Sequence, residues 1–328
     1  MQRLILSIFN FNMRVFFAKL LSLGLVIAMS TLLIGIITRP EESRSLGVTI
    51  AKHRVLQQMA SPKVVLIGGS NLAFGVDSAR LQQELNTNVF NLGLNVYFGL
   101  KFHLDEIRPY VRSGDLIVIS PEYHLFYIDA LKLIETDYIM PSVIHATFPR
   151  SAVYFPIRDQ LSALLIALNR LPSRIGDRIR QIPSGPDLTF AYNYLGDFID
   201  HLNIPASDQS RINNADSKAP ANINWRELSF DQNSIQYLNQ FDEFARARGA
   251  RVVMVYPSWP NHLYQLDPTF YQDHHAQLRQ RLNIPILGTP DCYVYPTEHM
   301  FDSPYHVDAI WRQERSKRLI EDLQPFTH

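Results

Sequence analysis

The fold is decided by the stretch KVVLIGGSN, residues 63–71. Its centre, Val64–Ile67, is apolar and rich in β-branched residues, which is typical of a strand buried on both faces of a parallel sheet. Gly69, Ser70 and Asn71 then interrupt the apolar run. We therefore predict a buried strand at 63–68 whose carboxyl end leads into a turn that carries Ser70.

Strand and helix patterns alternate on the C-terminal side of this stretch. Asp77 and Ser78 are good N-cap residues and predict a helix that continues to about Asn86. Further strands are predicted at 88–92, 115–120, 250–257 and 284–287, and further helices at 97–111, 231–248, 268–282 and after His306. Such alternation predicts a three-layer α/β/α domain with a parallel sheet. In such sheets functional residues gather at the carboxyl ends of the strands, so Ser70, Gly93 and the segment 120–124 should lie on one edge.

Residues 125–230 interrupt this alternation. They contain several aromatic residues and prolines, a predicted helix at 157–182 and the polar stretch SDQSRINNADSKAPANIN at 207–224. We interpret this region as a long, mostly helical or irregular insertion in an α/β domain that spans residues 63–328.

The N-terminal region predicts a membrane anchor. Nineteen residues, Leu20–Thr38, carry no charge, which is long enough to span a bilayer core. Basic residues precede this segment and the tail before it has no acidic residue, so the positive-inside rule places the N-terminus in the cytoplasm and the main domain outside it, in the periplasm. A cleaved signal peptide and a buried soluble helix are the alternatives. Residues 39–62 read as a stalk, with a polar exit RPEESRS followed by an amphipathic helix.

Composition excludes some classes of partner and cofactor. Thirty-one basic and 31 acidic residues balance, so no global charge favours nucleic acid. Cys292 is the one cysteine, so neither an intrachain disulfide nor a thiolate metal cluster can form. His274 and His275 follow each other on a predicted helix and point about 100° apart. We interpret them as part of a solvated face and expect no metal and no cofactor.

A serine, a histidine and an acid are placed where nucleophilic catalysis needs them. Ser70 follows the first strand, and FDSPYHVD, residues 301–308, puts Asp302 and His306 in one loop before the last helix. A serine hydroxyl is a weak nucleophile until a neighbouring base takes its proton, and a carboxylate fixes the tautomer of that base. The alternatives are structural: turn residues around Ser70, a helix N-terminal residue at His306 and a turn former at Asp302.

These blocks resemble the SGNH/GDSL hydrolase superfamily. The resemblance rests on Ile67–Asn71, on Asn91–Asn95, and on Asp302 with His306. It covers most of residues 63–120 and 250–324, and it implies a flavodoxin-like SGNH sheet.

The resemblance implies a role for each matching residue. Ser70 is the expected nucleophile, His306 the base and Asp302 the acid that orients it. The backbone N–H groups of Ser70 and Gly93 are the expected oxyanion donors, with Asn95 as a further candidate.

Two features depart from the family pattern. The third block normally offers an asparagine to the oxyanion, whereas this chain has Glu122, a carboxylate that would oppose an oxyanion; Asn71 is a possible substitute donor. The acid usually precedes the histidine by three residues, whereas Asp302 precedes His306 by four. Asp308 is the alternative acid.

The anchor and the long insertion are similar to membrane-anchored relatives that work beside acyltransferases on cell-envelope polymers, such as D-alanyl transfer proteins of teichoic acid synthesis and acetylation factors of exopolysaccharides. We therefore expect a serine esterase or O-acyltransferase that acts on an envelope polymer. The alternative is a non-catalytic module that binds a polymer or a membrane-bound acyltransferase. Aromatic residues that follow the strands either line a substrate groove or cover the core: Tyr123, Phe126, Tyr127, Trp259 and Tyr264.

Overall fold

The computed structural model describes residues 13–38, 48–127, 157–180, 191–204 and 225–327. The predicted polar exit RPEESRS and the polar stretch 207–224 lie outside the described residues.

The core of the chain is a four-stranded parallel sheet with the strand order β2-β1-β3-β4. The strand β1 is buried along its whole length, as its apolar sequence predicts. The α/β class and the parallel sheet are thus confirmed. The strands are β1 Lys63–Gly68, β2 Asn88–Asn91, β3 Leu116–Ser120 and β4 Arg251–Met254.

The strand predicted at 284–287 is wrong in extent. Only Ile286 forms a parallel bridge, next to Met254 at the edge of the sheet. Pro285 has no N–H to donate to a neighbouring strand. Gly288 then turns the chain away with a φ of +69°. The segment therefore forms two backbone hydrogen bonds with β4 and does not extend into a full strand.

The helices that contact the sheet fall into two groups. Helix α10 (Ala309–Leu323) packs on α3 (Ser70–Gly75) and α4 (Ser78–Leu85), and α5 (Gly99–Ile107) packs on α7 (Gln232–Arg246). A second, two-stranded sheet is formed by β5 Trp259–Pro260 and β6 Val294–Tyr295. The helices are α1 Met13–Thr38, α2 Val48–Gln58, α3 Ser70–Gly75, α4 Ser78–Leu85, α5 Gly99–Ile107, α6 Ile157–Arg180, α7 Gln232–Arg246, α8 Asn261–Leu266, α9 Pro268–Arg281 and α10 Ala309–Leu323.

Helix α1 is the candidate membrane span. Its portion Met13–Ile34 is long and apolar enough to cross a membrane, and none of it is buried by the protein. The span begins earlier than the uncharged stretch and includes Arg14 and Lys19. Helix α2, which the sequence assigned to the stalk, instead packs into the α/β domain through buried residues that include Lys52 and Leu56.

Residues 191–204, inside the predicted insertion, are built into the edge of the main sheet. The N–H of Asn91 at the end of β2 donates to the carbonyl of Leu195, 2.8 Å away. Asp197 is fully buried, and its carboxylate accepts hydrogen bonds from Ser78, from the Asn91 amide and from Arg312. This segment therefore reaches the carboxyl edge of the sheet.

Candidate active site

Ser70 is the first residue of helix α3, not a turn residue as predicted. The chain passes from β1 through Gly69, the N-cap, directly into the helix. A Cβ at Gly69 would lie 2.5 Å from a carboxylate oxygen of Glu122, so only glycine fits this close approach. The Ser70 side chain is half-buried, and neither its hydroxyl nor its N–H forms a hydrogen bond with the described residues.

His306 and Asp302 form a direct pair. The Nδ1 atom of His306 lies 2.6 Å from Oδ1 of Asp302. The intervening loop is tightened because the N–H of Phe301 donates to the carbonyl of His306 and the N–H of His306 donates to that of Ser303. An antiparallel bridge between Met300 and Val307 closes the loop. This turn brings together two side chains that are four residues apart.

The other ring nitrogen of His306 has no partner. Nε2 is buried and accepts or donates no hydrogen bond within the described structure. The carboxylate on Nδ1 fixes the proton there, which leaves Nε2 as an acceptor. No hydrogen bond joins Nε2 to the Ser70 hydroxyl in this conformation.

Phe74 connects Ser70 to His306. It lies one helical turn after Ser70, so the two side chains occupy the same side of α3. Its ring stacks on the imidazole of His306 with centroids 3.9 Å apart and planes 3° apart. The helix that begins at Ser70 therefore contacts His306 through its Phe74 ring, a relation that the sequence did not predict.

Two side chains of the segment 191–204, Phe198 and His201, also contact the Phe74 ring. Phe198 stacks on Phe74 at 4.3 Å, and His201 lies 4.9 Å from the same ring. Burial lowers the pKa of His201 to about 4, with smaller contributions from Arg312 and His306. His201 is therefore neutral at physiological pH, and it adds no second positive charge beside His306.

The backbone N–H of Gly93, a predicted oxyanion donor, already has a hydrogen-bond acceptor. Its N–H donates to Oδ1 of Asn91, 2.9 Å away, and its carbonyl accepts from the buried ammonium of Lys52. Burial lowers the pKa of Lys52 to about 7, and Asp197 opposes that shift. Asn95 lies in the same loop with a half-buried side chain, and its carbonyl accepts from the N–H of Phe98.

Glu122 lies against the N-terminal turn of helix α3. Its Oε1 accepts hydrogen bonds from both the N–H and the side-chain amide of Asn71, each 3.3 Å away. Arg315 donates to the carbonyl and to Oδ1 of Asn71, and Ser120 donates to the same Oδ1. Asn71 is thereby held in a buried network and is not directed at a substrate.

Burial raises the pKa of Glu122 to about 7, against the hydrogen bonds from Asn71 and the charge of Arg315. A carboxyl group with that pKa is largely protonated below neutral pH. It then carries no negative charge that would oppose an oxyanion.

The alternative acid, Asp308, has other partners. Its carboxylate caps helix α10 by accepting from the N–H groups of Ile310 and Trp311. It also lies 2.7 Å from Nδ1 of His299. Asp302 is therefore the acid that pairs with His306.

The predicted solvated face at His274 and His275 is wrong for His274. That side chain is 1% exposed, and its Nδ1 lies 2.9 Å from the hydroxyl of Tyr127. Burial lowers the pKa of His274 to about 3. His275 pairs instead with the hydroxyl of Tyr256, which agrees with the expected divergence of adjacent helical side chains.

Four of the five aromatic residues proposed for a groove are buried in the core, as their alternative interpretation predicted: Tyr123, Phe126, Tyr127 and Trp259. Tyr264 packs against that core and is partly buried.

No protein-family model matches this chain, and no curated protein matches it. The case for a function therefore rests on the geometry of Ser70, His306, Asp302 and the groups around them.

Proposed function

We propose that the chain is a serine ester hydrolase or O-acyltransferase of the SGNH type. The observation that carries the proposal is the His306 ring, which is paired through Nδ1 with Asp302 and has an unpartnered Nε2 beside the helix that begins at Ser70. The strand order β2-β1-β3-β4 supports it too, since flavodoxin-like sheets continue this order and place their sites where β1 and β3 end.

Each group has a defined chemical task in this proposal. The Ser70 oxygen attacks the carbonyl carbon of an ester while Nε2 of His306 takes the hydroxyl proton. The tetrahedral intermediate collapses, the proton passes to the departing alcohol oxygen, and an acyl group remains on Ser70. Water or a sugar hydroxyl then attacks the acyl-enzyme and gives its proton to His306. The second tetrahedral intermediate collapses, the bond between the acyl group and the Ser70 oxygen breaks, and His306 returns the proton to that oxygen.

The oxyanion needs at least one donor, and of the N–H groups of Ser70 and Gly93 it is that of Ser70 that makes no hydrogen bond with the described residues. Such a donor typically contributes about 3 kcal/mol to the transition state. Gly93 would serve only if its N–H moved away from Asn91. Attack also requires the Ser70 hydroxyl to come within hydrogen-bond reach of Nε2, and catalytic hydrogen bonds often form or tighten only when substrate is bound.

The location is proposed from the anchor, and the substrate class is proposed from the resemblance to membrane-anchored SGNH-type relatives. Helix α1 would hold the domain at the outer face of the cell membrane, in the periplasm, with the N-terminus in the cytoplasm. We therefore assign an acylated cell-envelope polymer as the substrate class and a membrane-bound acyltransferase as a candidate partner.

A non-catalytic module is the second candidate. It is favoured by the Gly93 N–H bonded to Asn91 and by Glu122 in the place of a donor asparagine. In that case the surface around Ser70 and His306 binds a polymer or an acyltransferase partner without forming an acyl-enzyme.

Labelling with a fluorophosphonate probe separates the two candidates. Full-length protein in detergent is expected to form a stoichiometric adduct that Ser70→Ala and His306→Ala abolish. The matched controls are Ser113→Ala, an exposed serine, and His299→Ala, which removes the other histidine paired with an aspartate. Both controls should label like the parent. A folded parent that does not label contradicts the catalytic proposal and favours the binding module.

A further inference from the structure

Helix α6, in the middle of the insertion, has a buried side made of small residues. Ala163 and Ala167 are 5% and 2% exposed and lie one turn apart. The element that α6 packs alongside is α1, the candidate membrane span. Small side chains allow two helix backbones to approach closely, as they do in membranes.

A second side of α6 is apolar but uncovered. Its large side chains are between 41% and 70% exposed, and they recur at intervals of three, four and seven residues, which puts them on one stripe. We call this set the leucine stripe: Ile157, Leu161, Leu165, Leu168 and Ile175.

Helical geometry separates the leucine stripe from the other sides of α6. At about 100° per residue the stripe occupies a sector of roughly 80°, and Ala163 and Ala167 lie outside it, facing another way. Ser162 and Ser173 mark a third, polar side. The alanine side is therefore the buried side of α6, and the leucine stripe is an exposed side.

The charges of α6 define what can cover that stripe. The helix contains five arginines and two aspartates, which is too many for a membrane-spanning segment. A helix with one apolar side and a basic remainder instead lies in the plane of the membrane interface. Its neighbour α1 brings a bilayer to this side of the protein, whereas water would leave the stripe exposed.

We propose that α6 lies in the membrane interface beside α1, with the leucine stripe among lipid acyl chains and the exposed Arg158 at acidic headgroups. The insertion then holds the α/β domain against the membrane at a second point. This inference uses the membrane anchor of the proposed function and is independent of the serine chemistry.

Depth measurement by lipid quenching tests the proposal on the full-length protein. In a Cys292→Ser background, a fluorophore is attached at Leu161→Cys on the stripe, at Ser173→Cys on the polar side, or at Leu25→Cys on α1. All three positions are exposed, so the substitutions remove no core packing. The protein is reconstituted in vesicles of phosphatidylcholine and phosphatidylglycerol that contain nitroxide-labelled lipids.

The expected result is severalfold stronger quenching at Leu161 and Leu25 than at Ser173. Quenching at Leu25 with none at Leu161 overturns the interfacial placement of α6 and leaves the anchor intact. Blue-shifted emission at Leu161 without lipid quenching also overturns it, because a second copy or another protein then covers the stripe. No quenching at Leu25 refutes the anchor. Equal quenching in vesicles without phosphatidylglycerol refutes the role of acidic headgroups.

Discussion

Replacing Glu122 by glutamine should change how the stability of the protein depends on pH. Glu122 is 1% exposed, and burial raises the pKa of its carboxyl from 4.5 to about 7 in the folded protein. Between those two values the folded state keeps a proton that the unfolded state has lost. The protonated carboxyl therefore contributes stability that is fully present below pH 4.5 and is lost as the pH rises through about 7.

The size of the effect follows from the shift. One pKa unit corresponds to about 1.4 kcal/mol, so the contribution of Glu122 to the free energy of unfolding should fall by about 3 kcal/mol across this window. Glutamine has nearly the same shape and can still accept from Asn71, but it does not titrate. Relative to the parent, Glu122→Gln should therefore gain about 3 kcal/mol between about pH 4 and about pH 8.

Urea unfolding of full-length protein in detergent measures this difference. The three tryptophans lie in the α/β domain, so their fluorescence reports on the unfolding of that domain. The difference between the two proteins isolates Glu122, because other groups such as Lys52 titrate equally in both. Parallel stability profiles of parent and variant would refute the reasoning, since they would mean that Glu122 is ionised in the folded protein.

Three further substitutions test the packing around the site. Phe74→Ala removes the ring on which His306 stacks, so it should lower the free energy of unfolding by about 2 kcal/mol and slow fluorophosphonate labelling. Unchanged labelling would show that the ring does not position the base. Asp197→Ala should cost about 3 to 5 kcal/mol in urea unfolding because it removes the buried carboxylate that accepts from Arg312, Ser78 and Asn91, and a cost near zero would contradict that pairing. Gly93→Ala should cost about 1 to 3 kcal/mol, since its Cβ would lie 2.7 Å from the side chain of a residue in α3, and a neutral result in thermal unfolding would mean that the loop shifts freely.

The sheet could be predicted from the sequence because its strands are locally encoded. The run Val64–Ile67 needs no tertiary information to be recognised, and Asp77 caps α4 by accepting from the N–H of Arg80 as its residue type predicts. The strand predicted around Pro285 was wrong in extent because a local pattern does not show which backbone hydrogen bonds can form. Its apolar pattern suits a strand, but one missing N–H limits its pairing to a single bridge.

The pairing of Asp302 with His306 could be predicted only as a set of candidate residues. Spacing alone left Asp308 as an alternative, and the choice is made by the turn that closes between Met300 and Val307. Phe74 was missed because its role depends on Ser70 beginning a helix, which the glycines around it disguised as a turn. His201 was missed because it lies in residues 191–204, a part of the insertion where the sequence predicts no strand or helix.

The protonation state of Glu122 connects the two candidate functions. An ionised carboxylate against the N-terminal turn of α3 would oppose a developing oxyanion and favour a site that only binds. The same group in its neutral form removes this repulsion and satisfies the Asn71 donors. Burial favours the neutral form of the Glu122 carboxyl. Glu122 stands where the family pattern has an asparagine, and in its neutral form it is compatible with catalysis below neutral pH. The remaining obstacle is the Gly93 N–H, and its bond to Asn91 leaves the N–H of Ser70 as the principal donor on which esterase or transferase activity would depend.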